Sequence, residues 1–445
     1  MFDLALIAPR AIVDGIEAPC EIGVSEGRIA AIEPLGSELP ARETVRLAPT
    51  ETLLPGLVDT HVHINEPGRT EWEGFKSATR AAAAGGVTTI VDMPLNSIPA
   101  TTALEALEIK RARARAETYV DVGFWGGCVP GNLDELAAMH EAGVLGFKAF
   151  LIDSGVPEFQ ALSAADLLPA ITETARLGAL LLVHCEDAQT IASAPAPAGA
   201  SYAAFLRSRP PTGEDVAIRN VIAAAQETGG RAHVVHLSSS SALPDLRAAR
   251  AAGVDVTVET CPHYLTLEAE TIPDGATQFK CCPPIREAEN RDRLWDALVD
   301  GDIDMIVSDH SPCPTALKRL DTGDFGDAWG GIASLQLGLS LVWTEARTRD
   351  RSSGEVAEWM ARAPADRVGL SYKGRIAVGA DADLVAFDPD ATFVVDPAQL
   401  FHRHPVTPYA GRELYGVVRR TWLRGIPVDG NGTARGRLLH REEQR

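Results

Sequence analysis

The run Asp59-Thr60-His61-Val62-His63 carries polar, chemistry-capable side chains at alternate positions. Side chains repeat every two residues along a strand, so Asp59, His61 and His63 are expected on one face. An isolated H-x-H pair reads as readily as two hydrogen-bonded polar residues as it does as two ligands. The balance shifts with His184, His236 and Asp309, each at or near the end of a short apolar run: ALLLVHC (179–185), AHVVHL (232–237) and IDMIVSD (303–309). Four imidazoles and a carboxylate converging from separate strand ends suit zinc or another divalent transition metal. Lys148 lies in a further run, VLGFKAF (144–150), where an ammonium is costly unless paired. Either its head reaches water or an acidic neighbour, or its amine has taken up CO2 as a carbamate, an anion able to bridge two metals. Burial lowers a lysine pKa and frees the nucleophilic amine that the second route needs.

The elements that must position these residues are eight in number, because four more runs match the four above: LVDTHVH (57–63), VTTIVDM (87–93), YVDVGFW (119–125) and VDVTVET (254–260). They alternate with Ala-rich helical stretches such as WEGFKSATRAAAAGG. The pattern predicts an α/β fold, a (β/α)8 TIM-type barrel over residues 54–371, whose chemistry gathers where strands end. An open doubly wound sheet is disfavoured, since no G-x-G-x-x-G occupies the first strand-to-helix turn. The first fifty residues read instead as short strands and turns, and the same texture returns in RIAVGADADLVAFDP, ATFVV and VVRRTWLRGIPV. A smaller β-sandwich domain assembled from residues 1–53 and 372–445 is therefore expected.

Composition bounds the function classes. Of 445 residues, 45% are apolar and 23% charged, which argues against disordered and coiled-coil chains. The 61 acidic and 41 basic residues leave a formal net charge of −20, a field that repels nucleic acid and anionic membranes. Seven irregularly spaced cysteines without a C-x-x-C pair speak against a disulfide framework, and no stretch approaches roughly 18 uninterrupted apolar residues. A cytoplasmic protein is expected.

In order along the chain, His61, His63, Lys148, His184, His236 and Asp309 resemble the ligand set of the binuclear metal-dependent amidohydrolase superfamily. The resemblance extends over essentially the whole chain, including the returning stretch from Lys373-Gly374 to Asp381-Ala382-Asp383-Leu384. It implies a barrel holding two divalent metals bridged by a hydroxide and by Lys148 as N6-carboxylysine. His61, His63 and Asp309 would hold the more buried metal, His184 and His236 the other, and Lys148 both. Two divalent cations against a carbamate, a carboxylate and a hydroxide leave a charge of about +1, able to polarise a carbonyl and supply a nucleophile. Asp309 is the expected catalytic proton relay between that nucleophile and the leaving nitrogen.

The run after the histidine pair, Ile64-Asn65-Glu66-Pro67-Gly68-Arg69-Thr70, discriminates among substrates. Dihydroorotases resemble this chain but place an arginine where Asn65 stands, suited to gripping a carboxylate. The run resembles that of allantoinases, as do Met93-Pro94-Leu95-Asn96-Ser97, Ser308-Asp309-His310-Ser311-Pro312-Cys313 and Ala328-Trp329-Gly330-Gly331-Ile332. The resemblance implies allantoin, a neutral cyclic diamide, as the small-molecule substrate, and hydrolytic ring opening to allantoate. Asn65, Asn96, Ser311, Cys282 and Gly331 are the substrate-contact candidates, equally readable as caps and turn residues. Zinc is the first expectation, with cobalt, manganese or iron as alternatives, and relatives of this kind are commonly tetramers or dimers. The competing readings are a hydantoinase or dihydropyrimidinase-like amidase acting on another ring, and a non-catalytic scaffold on the same fold. His184-Cys185-Glu186 also matches the deaminase H-x-E, but no P-C-x-x-C follows, so Glu186 receives no role here.

Overall fold

A computed structural model describes residues 1–441. Five strands open the chain: β1 (Phe2–Val13), β2 (Ile16–Ser25), β3 (Arg28–Pro34), β4 (Ala41–Arg46) and β5 (Thr52–Pro55). Nine short strands follow in the middle: β6 (Leu57–Val62), β7 (Val87–Asp92), β8 (Asp121–Phe124), β9 (Gly126–Gly127), β10 (Phe147–Phe150), β11 (Leu180–His184), β12 (Arg231–Val234), β13 (Val256–Thr260) and β14 (Met305–Ile306). Three more close it: β15 (Leu384–Val394), β16 (Glu413–Leu423) and β17 (Ile426–Val428).

The two ends of the chain meet in one eight-stranded sheet, ordered β17-β16-β15-β5-β1-β2-β3 with β4 beside β1. The join is antiparallel, Leu384 opposite Pro55 and Phe387 opposite Thr52. Alternating side chains from this sheet, among them Leu4, Leu6, Ile22, Val24, Leu53, Leu384 and Trp422, form a core of their own.

The middle strands are parallel, in a three-stranded set β6-β7-β8 and a six-stranded set β14-β13-β12-β11-β10-β9. Both faces of β6, β7, β10 and β11 are buried, as continuous apolar runs require. Hydrogen bonds link the sets on both flanks. Only Trp125 separates β8 from β9, and the Leu145 N–H, two residues ahead of β10, donates to the Phe124 carbonyl of β8 at 3.0 Å. On the other flank Val62 bridges to His310 in parallel, and the His63 N–H donates to the His310 carbonyl at 2.9 Å. Asp59 reinforces this seam, because both its oxygens accept from the Ser308 N–H at 3.2 Å. The alternation that groups Asp59 with His61 and His63 thus gives it a structural use at the seam, and burial raises its pKa to about 6.

Helices cover the parallel strands. The Ala-rich helix Phe75–Ala84 buries Phe75, Ala78, Ala81, Ala82 and Ala83, small side chains that allow close approach. It ends at Gly85, where a Cβ would fall 2.8 Å from the Gln336 carbonyl oxygen. No helix among the described residues is long and apolar enough to cross a membrane. After β17 the chain returns to the parallel strands: the Val122 N–H donates to the Arg437 carbonyl at 2.9 Å and Leu439 N–H to the Val122 carbonyl at 2.8 Å.

Candidate metal centre

The strands deliver their polar residues to one end. His61 lies inside β6 and His63 one residue past it, Lys148 lies in β10, and His184 closes β11. His236 stands two residues beyond β12 and Asp309 three beyond β14, with φ of 40° and 44° respectively. Such left-handed backbone costs a non-glycine residue about 1–3 kcal/mol and is retained where the surroundings demand that orientation.

His61, His63 and Asp309 each present one donor atom, all within 4.8 Å of one another. Asp309 Oδ1 lies 3.2 Å from His61 Nε2 and 3.5 Å from His63 Nε2, and accepts from the Ser311 hydroxyl at 2.7 Å. Burial pulls His63 down to about 4, and although burial opposes it, the neighbouring histidines hold Asp309 well below the usual carboxylate range. At neutral pH the set is therefore a carboxylate facing a bare imidazole, as metal ligation requires.

His184 and His236 meet edge to face, with His184 Nδ1 2.9 Å from His236 Nε2. Burial lowers the pKa of both. Lys148 lies wholly buried with its Nζ 4.9 Å from the centre of the Phe150 ring and no hydrogen-bond partner among the described residues. Burial brings its pKa down to about 8, against the pull of Glu259 and Asp309.

A cavity of about 300 Å³ brings together all six of these residues, with Asn96, Cys282, Ser311, Gly330 and Gly331 on its wall. That volume is at the lower bound for small-molecule sites, about 300–1,000 Å³. Asn96 reaches within 3.5 Å of His63 Nδ1, and its Oδ1 has no hydrogen-bond partner among the described residues. Burial raises the Cys282 thiol pKa. Gly331 has φ of 136°, and a Cβ there would fall 2.3 Å from the Ser311 carbonyl oxygen. Its N–H donates to the Lys280 carbonyl at 2.8 Å, so what Gly331 contributes to the cavity is room.

Asn65 does not line this cavity; its side chain donates to the Pro312 carbonyl at 3.3 Å. Placing Asn65 on the face of the histidines would extend strand alternation beyond its domain, since β6 ends at Val62 and Asn65 turns to φ of 65°.

Sequence reasoning passes over the carboxylates behind the histidines. Glu259 accepts from His61 Nδ1 at 2.5 Å and from His233 Nε2 at 3.0 Å, and Glu186 stands 2.9 Å from His184 Nε2. Burial opposes ionisation of both, yet His61 and His233 for Glu259, and Arg209 and His184 for Glu186, hold each at about 2. A glutamate inside the apolar run VDVTVET is itself the signal, because an acid is buried only when paired.

A model of the amidohydrolase family matches residues 52–428. The chain belongs to the amidohydrolase family. It is 54% identical to the allantoinase of Streptomyces avermitilis, with 99% of each chain covered. To the allantoinase of Saccharomyces cerevisiae it is 44% identical, covering 96% of this chain and 94% of that one. Among solved structures, the L-hydantoinase (dihydropyrimidinase) from Arthrobacter aurescens superposes with a TM-score of 0.92 at 32% identity, over 99% of this chain and 100% of that one. For an amidohydrolase the donor set is apt: neutral imidazoles and an ionised carboxylate face one cavity, and two buried nitrogens, Lys148 Nζ and His236 Nδ1, have no hydrogen-bond partner among the described residues.

Proposed function

We propose that this amidohydrolase is an allantoinase, opening the ring of allantoin by hydrolysis to give allantoate. The observation that carries the reading is 54% identity to an allantoinase over 99% of both chains, against 32% to the hydantoinase structure. The test is steady-state turnover of protein purified with divalent metal and bicarbonate, on allantoin, hydantoin, dihydrouracil and dihydroorotate in parallel. Allantoin should exceed the others in kcat/KM by orders of magnitude. Comparable turnover of another ring would overturn the substrate assignment and leave a cyclic amidase.

On this reading residues 54–371 form a (β/α)8 barrel, closed by the seam between β6 and the segment after β14, and residues 1–53 with 372–445 form the accompanying β-domain. His61, His63 and Asp309 would hold one divalent cation, His184 and His236 a second, with Lys148 shared between them as a carbamate. The orphaned, wholly buried Nζ supports that modification, since a carbamate would find ligand partners where an ammonium has none. Two such cations, zinc foremost, supply Lewis acidity toward the ring carbonyl and lower the pKa of the attacking water. Asp309 takes the proton released as water adds to the carbonyl carbon and delivers it to the ring nitrogen as the C–N bond breaks. Ser311, donating to Asp309 Oδ1, fixes which oxygen faces the reaction. Asn96 offers an amide to a polar, uncharged ring, and Cys282 and Gly331 shape the wall. A cytosolic homo-oligomer, dimer or tetramer, completes the reading.

A further inference from the structure

The His184 side of the site is backed by a connected set of charged side chains, of which Arg209 also reaches the cavity wall. Glu186, 1% exposed, faces His184 Nε2 at 2.9 Å and accepts from Arg209 Nη1 at 2.5 Å. The backbone carbonyl of Arg209 accepts from Arg286 Nη1 at 3.2 Å, and Arg286 Nη2 donates to Glu214 Oε1 at 2.6 Å. Glu214 Oε2 in turn accepts from the backbone N–H groups of Ser238 at 3.0 Å and Ser239 at 3.1 Å. These two serines follow His236 by two and three residues. Hydrogen bonds therefore run from behind His184 to the turn that carries His236, whose imidazole lies 2.9 Å from His184 on the cavity side. Two carboxylates and two guanidiniums sum to zero charge, so the set stays buried without an uncompensated ion.

We propose that Glu186, Arg209, Arg286 and Glu214 form a positioning circuit for one of two cation sites. The circuit fixes His184 with its proton on Nε2 and its lone pair on Nδ1, and holds His236 opposite. This rests on the binuclear reading above. An imidazole binds metal through its unprotonated nitrogen, and a carboxylate on the other nitrogen decides which one that is and raises its basicity. The other site has its own brace, because His61 leans on Glu259, which His233 holds at 3.0 Å; Glu259 meets His236 through the backbone N–H at 3.3 Å. Damage to the circuit should therefore be one-sided.

The experiment is equilibrium dialysis of the full chain against Zn2+ with bicarbonate, paired with 15N NMR of the histidines in metal-free protein. Wild type should take up two equivalents and show His184 as its Nε2–H tautomer. In Glu186→Ala one equivalent should weaken by about 10–100-fold, the other should hold, and His184 should become a tautomer mixture. Glu186→Gln, whose Oε1 still accepts from His184, should recover the tautomer and most of the affinity. Arg209→Lys should fall between them. Should Glu186→Ala fail to fold, the Gln and Lys variants carry the same readouts. Equal weakening of both equivalents, or an unchanged tautomer in Glu186→Ala, overturns the proposal in favour of a purely structural role. Wild type that takes up fewer than two equivalents overturns the binuclear reading instead, and the tautomer readout still decides the His184–Glu186 brace.

Discussion

Lys148 is the residue whose environment asks most for explanation, since a wholly buried amine without a hydrogen-bond partner among the described residues is a net cost to the fold. Lys148→Ala should leave the metal-free protein as stable as wild type or more so, while metal analysis finds fewer than two equivalents and no turnover. Short carboxylic acids should restore part of the activity by standing in for the carbamate; full activity in their absence would rule out a bridging role. The two asparagines separate in the same way. Asn96 lines the cavity, so Asn96→Ala should raise KM for allantoin about tenfold, the loss of one hydrogen bond at roughly 1.4 kcal/mol. Asn65 turns its amide to Pro312 in left-handed backbone, so Asn65→Ala should lower stability by about 1–2 kcal/mol and leave KM unchanged. The reverse pattern would return Asn65 to the substrate. The histidine and aspartate types were legible from spacing, because strand ends impose where polar residues sit; the direction of Asn65 was not, because it depends on a backbone turn outside the strand.

At the scale of elements, one lysine joins the terminal sheet to the parallel strands. Lys373 Nζ lies 2.6 Å from Asp121 at the start of β8, 2.7 Å from Asp383 and 2.9 Å from Asp381 just ahead of β15, and Arg424 adds a second cation at 2.6 Å from Asp121. The sequence shows Lys373, Asp381 and Asp383 as a returning signature without a use, and the contact with Asp121 in a distant segment supplies one. Burial opposes the charge on Lys373, but its three carboxylates outweigh this and raise its pKa. Burial likewise opposes ionisation of Asp121, yet Lys373 and Arg424 pull it below its ordinary 3.8. A raised lysine contributes stability that is complete below its unfolded pKa of about 10.4 and is lost as pH rises past it. A depressed aspartate contributes stability present above about 3.9 and lost as pH falls through the folded value. The cluster's own contribution, read as the Tm difference between wild type and Lys373→Met, should therefore be constant from about pH 5 to 9, and that variant, which strands the carboxylates, should cost about 3–5 kcal/mol within that window. Thermal melts across pH check both, and a variant as stable as wild type at pH 7 would show the cluster to be dispensable.

At the scale of the whole molecule, the chain after β17 fastens to the parallel strands through Val122, Gly143 and Asp121. Removing residues 436–445 should expose the flank of β8 and lower Tm by several degrees, since each lost backbone bond is worth about 0.5–1.5 kcal/mol. Unchanged melting would assign that segment no part in stability. The sequence by itself determined the alternating βα order, the pairing of both termini in β-structure and the residue types at the strand ends. These follow from local periodicity and from the cost of burying polar groups, which a single chain displays without its fold. Only the tertiary structure decided which polar residues face the cavity and which lock the scaffold. Asp59 closes a seam, Asn65 turns away, Glu259 braces His61 from a strand distant in sequence, and Glu186 beside His184 is itself held by Arg209. Those roles are set by partners tens to hundreds of residues away, and no local pattern encodes a partner that only folding brings into hydrogen-bond reach.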